Sequence, residues 1–271
     1  MDKIRITNLE VYCHHGVFTE ENVLGQKFLV SVELYTDTGE AALNDDINKS
    51  INYGEVCHYI KELMEKHTSK LIESVAECLA NKILLRFSLA TKVKLEVKKP
   101  WAPIMMPIET VSVEIERGWH IAYLSIGSNL GDKKENLNKA IELLNKDEYS
   151  KVTKISEFIT TKPVGGVEQD DFLNGALEVK TLRSPNRLLD LIGVIEKELK
   201  RERVIHWGPR TIDLDIIFYD NIIMDTEKLT IPHPEMHKRG FVLKPLLKIA
   251  PRLIHPIYKK DISQLLEELK D

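Results

Sequence analysis

Cysteine is scarce in this sequence. Cys13, Cys57 and Cys78 are the only three, an odd number, and none stands in a CxxC spacing. That usage argues against a disulfide framework and a thiolate zinc site, and fits the reduced thiols of a cytoplasmic protein. No apolar run reaches the length that crosses a bilayer, so no membrane span is expected. The N-terminus, Met1-Asp2-Lys3-Ile4-Arg5, leads straight into an alternating segment, so no signal peptide is expected either. Positive charge is not in excess: the formal charge is −4, which argues against a general binder of nucleic acid or membrane surface. Internal repeats and low-complexity segments are absent. What is present, 43% hydrophobic and 30% charged residues over 271 positions, suffices for cores in two domains.

The chain is organised around Trp207-Gly208-Pro209-Arg210-Thr211-Ile212-Asp213-Leu214-Asp215-Ile216-Ile217-Phe218. Ile212, Leu214 and Ile216 alternate with Asp213 and Asp215, so a strand here puts both carboxylates on one face, about 7 Å apart along it. Such acids repel each other unless a divalent cation lies between or above them, and hard oxygen ligands suit Mg²⁺. The residues before them add an aromatic lid, a flexible glycine, a stiffened turn and a cation. Lys200, Arg201 and Arg203 bring more positive charge within reach of the loop. Metal-binding acids beside mobile arginines are the parts of a phosphoryl-transfer site. The bland alternative is an acid pair satisfied by hydrogen bonds.

The first half reads ββααββ. Ile4, Ile6, Leu9 and Val11 mark one strand, and Phe28, Val30, Val32 and Leu34 a second. Helical spacing runs from about Tyr53 to Lys66 and again from Ile72 to Phe87. Val93, Leu95 and Val97, then Val111, Val113 and Ile115, complete a four-stranded antiparallel sheet with both helices on one face. Its two edges are expected at Ile4–Val11 and Val93–Val97, both too apolar to stay unpaired. Gly118 closes the last strand, which places a boundary near 118–120 and domains at 1–118 and 119–271.

The second half reads as strand 120–127, helix 133–145, strand 151–160, a loop over 161–172 and strand 174–181. A helix at 184–199, with Pro185 at its first position, a basic loop at 200–211 and the acid-bearing strand follow. The plan is βαββαβ, that of a ferredoxin-like domain, with short helices beyond it at Gly240–Ile249 and Ile262–Leu269. Both loops lie beside the acid-bearing strand, and loops of that length are usually functional. His206 and His237 read as solvent-facing.

Several motifs in this half stand in a telling order. They are Ser125-Ile126-Gly127-Ser128-Asn129-Leu130-Gly131, Thr161-Lys162-Pro163, Gln169-Asp170-Asp171-Phe172-Leu173-Asn174 and Glu196 with Arg201-Glu202-Arg203. Trp207 to Asp215, Ile231-Pro232-His233-Pro234 and Arg239-Gly240-Phe241 complete the set. Over 119–271 they resemble 6-hydroxymethyl-7,8-dihydropterin pyrophosphokinase. The resemblance implies ATP as co-substrate and two Mg²⁺ ions on Asp213 and Asp215. It implies catalytic arginines at Arg201 and Arg203, and closure of Trp207 and Arg210 over the substrates. Glu196, Arg201, Arg203, Trp207, Arg210, Ile216, Lys228, Thr230, His233 and Arg239 would meet the nucleotide. Thr161, Val164, Phe172, Asn174 and Phe241, with Trp207, would hold the pterin. A flat heteroaromatic ring does want an aromatic sandwich with in-plane hydrogen bonds, and phosphate wants metal and guanidinium. Lys200, Gly193, His206 and Lys228 depart from the usual residues of that family.

In the first half, His14-His15-Gly16-Val17, Glu20-Glu21-Asn22 with Gly25-Gln26, and Asn52-Tyr53-Gly54-Glu55-Val56 stand together with two further motifs. These are Leu71-Ile72-Glu73-Ser74-Val75-Ala76 and Lys98-Lys99-Pro100. They resemble dihydroneopterin aldolase across 1–118, which implies a T-fold. By that resemblance Lys99 is the general acid/base, Tyr53 assists proton movement and Glu73, beside Ile72, clamps the pterin edge. Glu21 would reach the site from a neighbouring subunit. No metal and no Schiff base are implied for this half. The two resemblances give an α+β chain making a pterin in one domain and activating it in the other, with a homo-oligomer built through residues 1–118. Rival readings keep the second half and make the first an epimerase of dihydroneopterin triphosphate, or an oligomerisation scaffold without catalysis. A third makes 119–271 an RNA-binding module, against which stand its acids and its lack of an aromatic stripe.

Overall fold

Strict alternation builds the first sheet. Phe28, Val30, Val32 and Leu34 are fully buried while the residues between them are only half-covered, as in a strand with one face on a core. The computed structural model describes residues 2–163, 169–200 and 209–269. Its chain divides into two compact units, Met1–Trp119 and His120–Asp271, each α+β with an antiparallel sheet.

The first unit runs β1 (Asp2–Cys13), α1 (Thr19–Leu24), β2 (Gln26–Thr36), α2 (Gly39–Asn44), α3 (Tyr53–Lys66), α4 (Ile72–Arg86), β3 (Lys92–Lys99) and β4 (Val111–Gly118). The strands lie in sequential order, β1-β2-β3-β4. Asn52 starts α3 by accepting hydrogen bonds from the amides of Gly54 and Glu55, and this cap satisfies donors the helix cannot. Val56, Ile60 and Met64 of α3, with Val75, Ala76, Leu79, Ala80, Ile83 and Leu84 of α4, are the buried faces. Asn8, at φ 51°, sits where the β1–β2 register shifts, and its amide donates to Ser31 Oγ.

One edge differs from expectation. The Val93–Val97 strand is interior: Val97 pairs with Val30 on one side and Val113 on the other. The two-helix excursion returns the chain beside β2, so β4 is left outside, and the edges are β1 and β4. The apolar alternation of β3 reports the buried face of an inner strand, not an edge. The outer strand instead carries Glu114 and Glu116, which pair with Lys94 and Lys92.

The second unit runs β5 (His120–Ser128), α5 (Lys133–Lys146), β6 (Ser150–Ile155), β7 (Ile159–Thr161), β8 (Phe172–Thr181), α6 (Pro185–Glu198), β9 (Asp213–Tyr219), β10 (Met224–Asp225), β11 (Thr230–Ile231), α7 (Gly240–Ile249) and α8 (Ile262–Glu268). The sheet order is β6-β8-β5-β9, with β7 also on β8. One face packs Leu124, Ile126, Leu214 and Ile216 against Leu137, Leu144, Leu188 and Ile192 of α5 and α6. The other packs Ala176, Ile217 and Phe218 against Val242, Leu246 and Leu265 of α7 and α8. The expected continuous strand 151–160 is in fact two. Ser156 interrupts it, with its amide donating to Ala176 O and its Oγ accepting from the Ala176 amide. Phe158 fits against Gly175, where a Cβ would come within 2.7 Å of the ring. Among the described residues no helix is long and apolar enough to cross a membrane.

Candidate functional site

In the second unit β5 ends where β8 and β9 begin. Gly127 pairs with Asn174 on one side and with Asp213 on the other, and Ser125 pairs with Asp215 two residues on. Paired residues share a face, so Asn174, Asp213 and Asp215 project together from one end of the sheet. The backbones of Asn174 and Asp213 stand about 10 Å apart across two strand spacings. The Asn174 side chain lies over Gly127, where a Cβ would meet Asn174 Oδ1 at 2.5 Å. Asn174 Nδ2 donates to Thr161 Oγ1 at 2.8 Å, and Thr161 pairs with Phe172 across β7 and β8. The chain past β11 runs along the outer edge of β9, where the His233 amide donates to Ile217 O at 3.0 Å. Burial pushes the His233 imidazole pKa down; Asp215 opposes this and Arg239 adds to it. Arg239 caps α7, with its guanidinium 5.9 Å from the half-buried Phe241 ring. The Nδ1 of His233 is occupied, accepting from the Glu235 amide at 3.1 Å.

Asp213 and Asp215 are half-buried, with Leu214 buried between them on the opposite face. Arg210 lies on the Asp213 carboxylate. Two half-buried carboxylates on one face of a rigid strand are hard oxygen ligands of the kind a divalent cation takes. No group of three or more His, Cys, Asp or Glu side chains that could hold a metal occurs among the described residues. Further ligands would therefore be phosphate oxygens and water, the habit of Mg²⁺.

Asn129, a motif residue with no role implied by the resemblance, is the polar hub of this end. It is fully buried. Its amide donates to Arg210 O at 3.1 Å, its Oδ1 accepts from the Arg210 amide at 2.7 Å, and its Nδ2 donates to Gln169 Oε1 and Asp170 O. The ends of both long connections are thus fastened to the end of β5. The signal available in sequence was a lone amide between Ser128 and Leu130, just past an apolar strand.

Other expected residues stand differently. Glu196 Oε1 accepts from the Leu214 amide at 3.0 Å, tying α6 to β9. The Ile216 side chain belongs to the apolar core, so any contact there with a nucleotide falls to its backbone. Thr230 Oγ1 donates to Asp225 in the small β10–β11 hairpin, and Lys228 is exposed between those strands. Val164, Arg201, Arg203, His206 and Trp207 lie outside the described residues. His237 is not solvent-facing: it is half-buried with its ring 4.8 Å from that of Tyr258. An aromatic neighbour from the distant turn covers it, which local polarity does not reveal.

In the first unit Lys99 ends β3, and its ammonium pairs with Glu21 of α1. Glu21 therefore reaches Lys99 within one chain. The short α1, joined directly to β2, folds back over the end of the sheet. Only 8% of Glu21 is exposed. Burial pushes its carboxyl up, but hydrogen bonds from Lys99, the Phe18 amide and Gln26 outweigh that and hold its pKa below the usual value. Gly16 makes this possible, because a side chain there would collide with the Glu21 carboxylate. Tyr53 and Glu73 are exposed at the first turns of α3 and α4, and Ile72 is half-buried beside Glu73. Among the described residues, no hydrogen bond joins Tyr53 or Glu73 to the Glu21–Lys99 pair.

Comparison with known proteins follows this division. A family model described as dihydroneopterin aldolase matches residues 4–116, and one described as 7,8-dihydro-6-hydroxymethylpterin-pyrophosphokinase matches 123–251. The folic acid synthesis protein fol1 of Pneumocystis carinii is 34% identical over all of this chain, which covers 38% of that protein. The bifunctional protein FolKE of Lactococcus lactis subsp. lactis is 54% identical over 130 residues, 48% of this chain and 37% of the relative. The 2-amino-4-hydroxy-6-hydroxymethyldihydropteridine pyrophosphokinase of Bacillus subtilis is 46% identical over 134 residues, 49% of this chain and 80% of that enzyme. The chain thus spans less than two-fifths of the length of the first two. Residues 4–116 belong to the dihydroneopterin aldolase family and 123–251 to the hydroxymethylpterin pyrophosphokinase family, joined here in one chain.

Proposed function

We propose that the chain catalyses two consecutive reactions of folate synthesis, with an aldolase domain at 1–118 and a pyrophosphokinase domain at 119–271. In the finer fold vocabulary these are a T-fold and a ferredoxin-like domain. The reading is carried by the convergence of Asn174, Asp213, Asp215, His233 and Arg239 on one sheet end, where Gly127 gives room to the Asn174 side chain. That arrangement suits a flat polar ring whose hydroxyl must meet a polyphosphate.

In the first domain the substrate is 7,8-dihydroneopterin. Removal of the 2′-hydroxyl proton lets the C1′–C2′ bond break, with its electron pair passing into the pterin ring. C2′ and C3′ leave as glycolaldehyde, and protonation at C1′ gives 6-hydroxymethyl-7,8-dihydropterin. Lys99 is the acid/base, beside a Glu21 carboxylate that keeps the charged ammonium in place; Tyr53 assists proton movement, and Glu73 with Ile72 holds the ring edge. In the second domain the hydroxymethyl oxygen attacks the β-phosphorus of ATP, and the bond from that phosphorus to the α-phosphate oxygen breaks to release AMP. Two Mg²⁺ ions held by Asp213 and Asp215 would neutralise and align the phosphates. Thr161, Val164, Phe172, Asn174 and Phe241 hold the pterin. Glu196, Arg201, Arg203, Trp207, Arg210, Ile216, Lys228, Thr230, His233 and Arg239 serve the nucleotide.

The protein is read as cytoplasmic and as a homo-oligomer through 1–118, where β1 and β4 leave two strand edges for identical neighbours. Sedimentation of a 1–118 fragment tests the assembly: a monomer would refute it. Supplying dihydroneopterin and its triphosphate separately tests the chemistry. Glycolaldehyde from the former supports the aldolase; an epimerised triphosphate without glycolaldehyde would replace it with the epimerase reading.

A further inference from the structure

One buried nucleophilic group in the first unit has no part in the reaction above. His15 is 2% exposed, and its Nδ1 accepts a hydrogen bond from the Ser69 amide at 3.1 Å. The next residue returns the bond, with the Gly16 amide donating to Ser69 O at 3.0 Å. An imidazole that accepts at Nδ1 carries its proton on Nε2 when neutral. Its ring stands edge-on to Phe28, with centroids 5.5 Å apart, and the Lys99 ammonium lies 6.0 Å from the centre of the Phe28 ring. Burial, then His14 and Lys99, push the His15 pKa down to about 4, so the acceptor at Nδ1 is kept at neutral pH.

The position of this clip is informative. Ser69 stands just before α4, whose first turn carries Ile72 and Glu73. Gly16 on the other side closes on Glu21, the partner of Lys99. His15 therefore joins two parts of the site that share no direct hydrogen bond: the Lys99–Glu21 pair and the helix start bearing Glu73. We propose that His15 is a positioning residue of the aldolase site, fixing the ring-binding turn of α4 against Lys99 through its bond to Ser69. The proposal rests on the aldolase reading of this domain. A part-buried amide that loses its acceptor is destabilised where it stands, so the turn shifts to find another partner.

Two substitutions separate this role from mere packing. In His15→Asn the Oδ1 can take the place of Nδ1 as acceptor, whereas His15→Leu fills the space without one. Dihydroneopterin turnover, dissociation of 6-hydroxymethyl-7,8-dihydropterin and exchange of the Ser69 amide proton are measured for the full chain and both variants. His15→Leu should raise KM and the dissociation constant at least tenfold with kcat within about threefold, and speed Ser69 exchange. His15→Asn should restore all three to within about threefold of the parent. Equal behaviour of the two variants, or a loss confined to kcat, would overturn the proposal. A parent that binds the pterin without releasing glycolaldehyde would sink the aldolase reading instead, and dissociation constants and exchange would then decide on His15. A parent that binds no pterin would remove both.

Discussion

Arg210 lies on the carboxylate of Asp213, while its own backbone amide and carbonyl are both held by Asn129. The first acid of the pair is thus met by a cation whose backbone is fixed to the end of the neighbouring strand. A planar guanidinium exchanges one oxyanion for another with little change of geometry, so Arg210 can follow incoming phosphate without moving its anchor.

Asp213→Ala and Asp215→Ala should each abolish AMP release, because the polyphosphate cannot approach the acceptor oxygen without its cations. Glycolaldehyde release by the same chains should be unchanged. Mg²⁺-dependent AMP release within tenfold of the parent in either variant would show that the acids do not hold the metal.

Gly127→Ala should impair the pyrophosphokinase through the pterin. The added methyl would press on Asn174 Oδ1 and break its bond to Thr161. KM for the hydroxymethyl pterin is expected to rise about tenfold or more, the scale of one disturbed buried hydrogen bond, while KM for ATP changes little. A variant with normal pterin KM would mean that the Asn174–Thr161 bond does not serve the ring.

How much of this was legible in sequence depends on the range of the interaction. Period-two and period-three-to-four spacing marked the main strands and helices, and alternation alone put Asp213 and Asp215 on one face. Features set by distant contacts were not legible. Whether Val93–Val97 lies at an edge depends on where a two-helix excursion returns. The meeting of Glu21 with Lys99 depends on how a six-residue helix folds back, and a helix that short leaves almost no periodicity. The break at Ser156 is made by one hydroxyl and by the space over Gly175. Asn129 acts through four hydrogen bonds to residues far along the chain, and a single polar letter does not announce them.

Lys99→Ala should lose aldolase turnover by about 10²–10⁴-fold with pterin still bound, the usual cost of deleting an acid/base. Glu73→Ala should lose binding first, since its exposed carboxylate is the expected partner of the ring edge. Isothermal titration of both variants with the pterin decides the matter, and equal loss of affinity would contradict the division of roles.

Acid should loosen the fold before carboxylates begin to titrate. His15 and His255 are both buried, and burial, the larger cause in each, pushes them from 6.5 down to about 4. The unfolded chain binds protons in that interval and the folded chain does not. Stability is therefore full above pH 6.5 and falls toward pH 4, by roughly 3 kcal/mol per histidine. Urea midpoints at pH 7.5 and 5 should differ accordingly for each unit; equal midpoints would contradict the buried neutral state.

The most direct test supplies the intact chain with dihydroneopterin, ATP and Mg²⁺ and follows glycolaldehyde and AMP together. Both should appear, with AMP lagging glycolaldehyde and dependent on it, because the first reaction makes the acceptor of the second. Glycolaldehyde without AMP, or AMP formed from added hydroxymethyl pterin alone with no glycolaldehyde from dihydroneopterin, would contradict a chain that carries both activities.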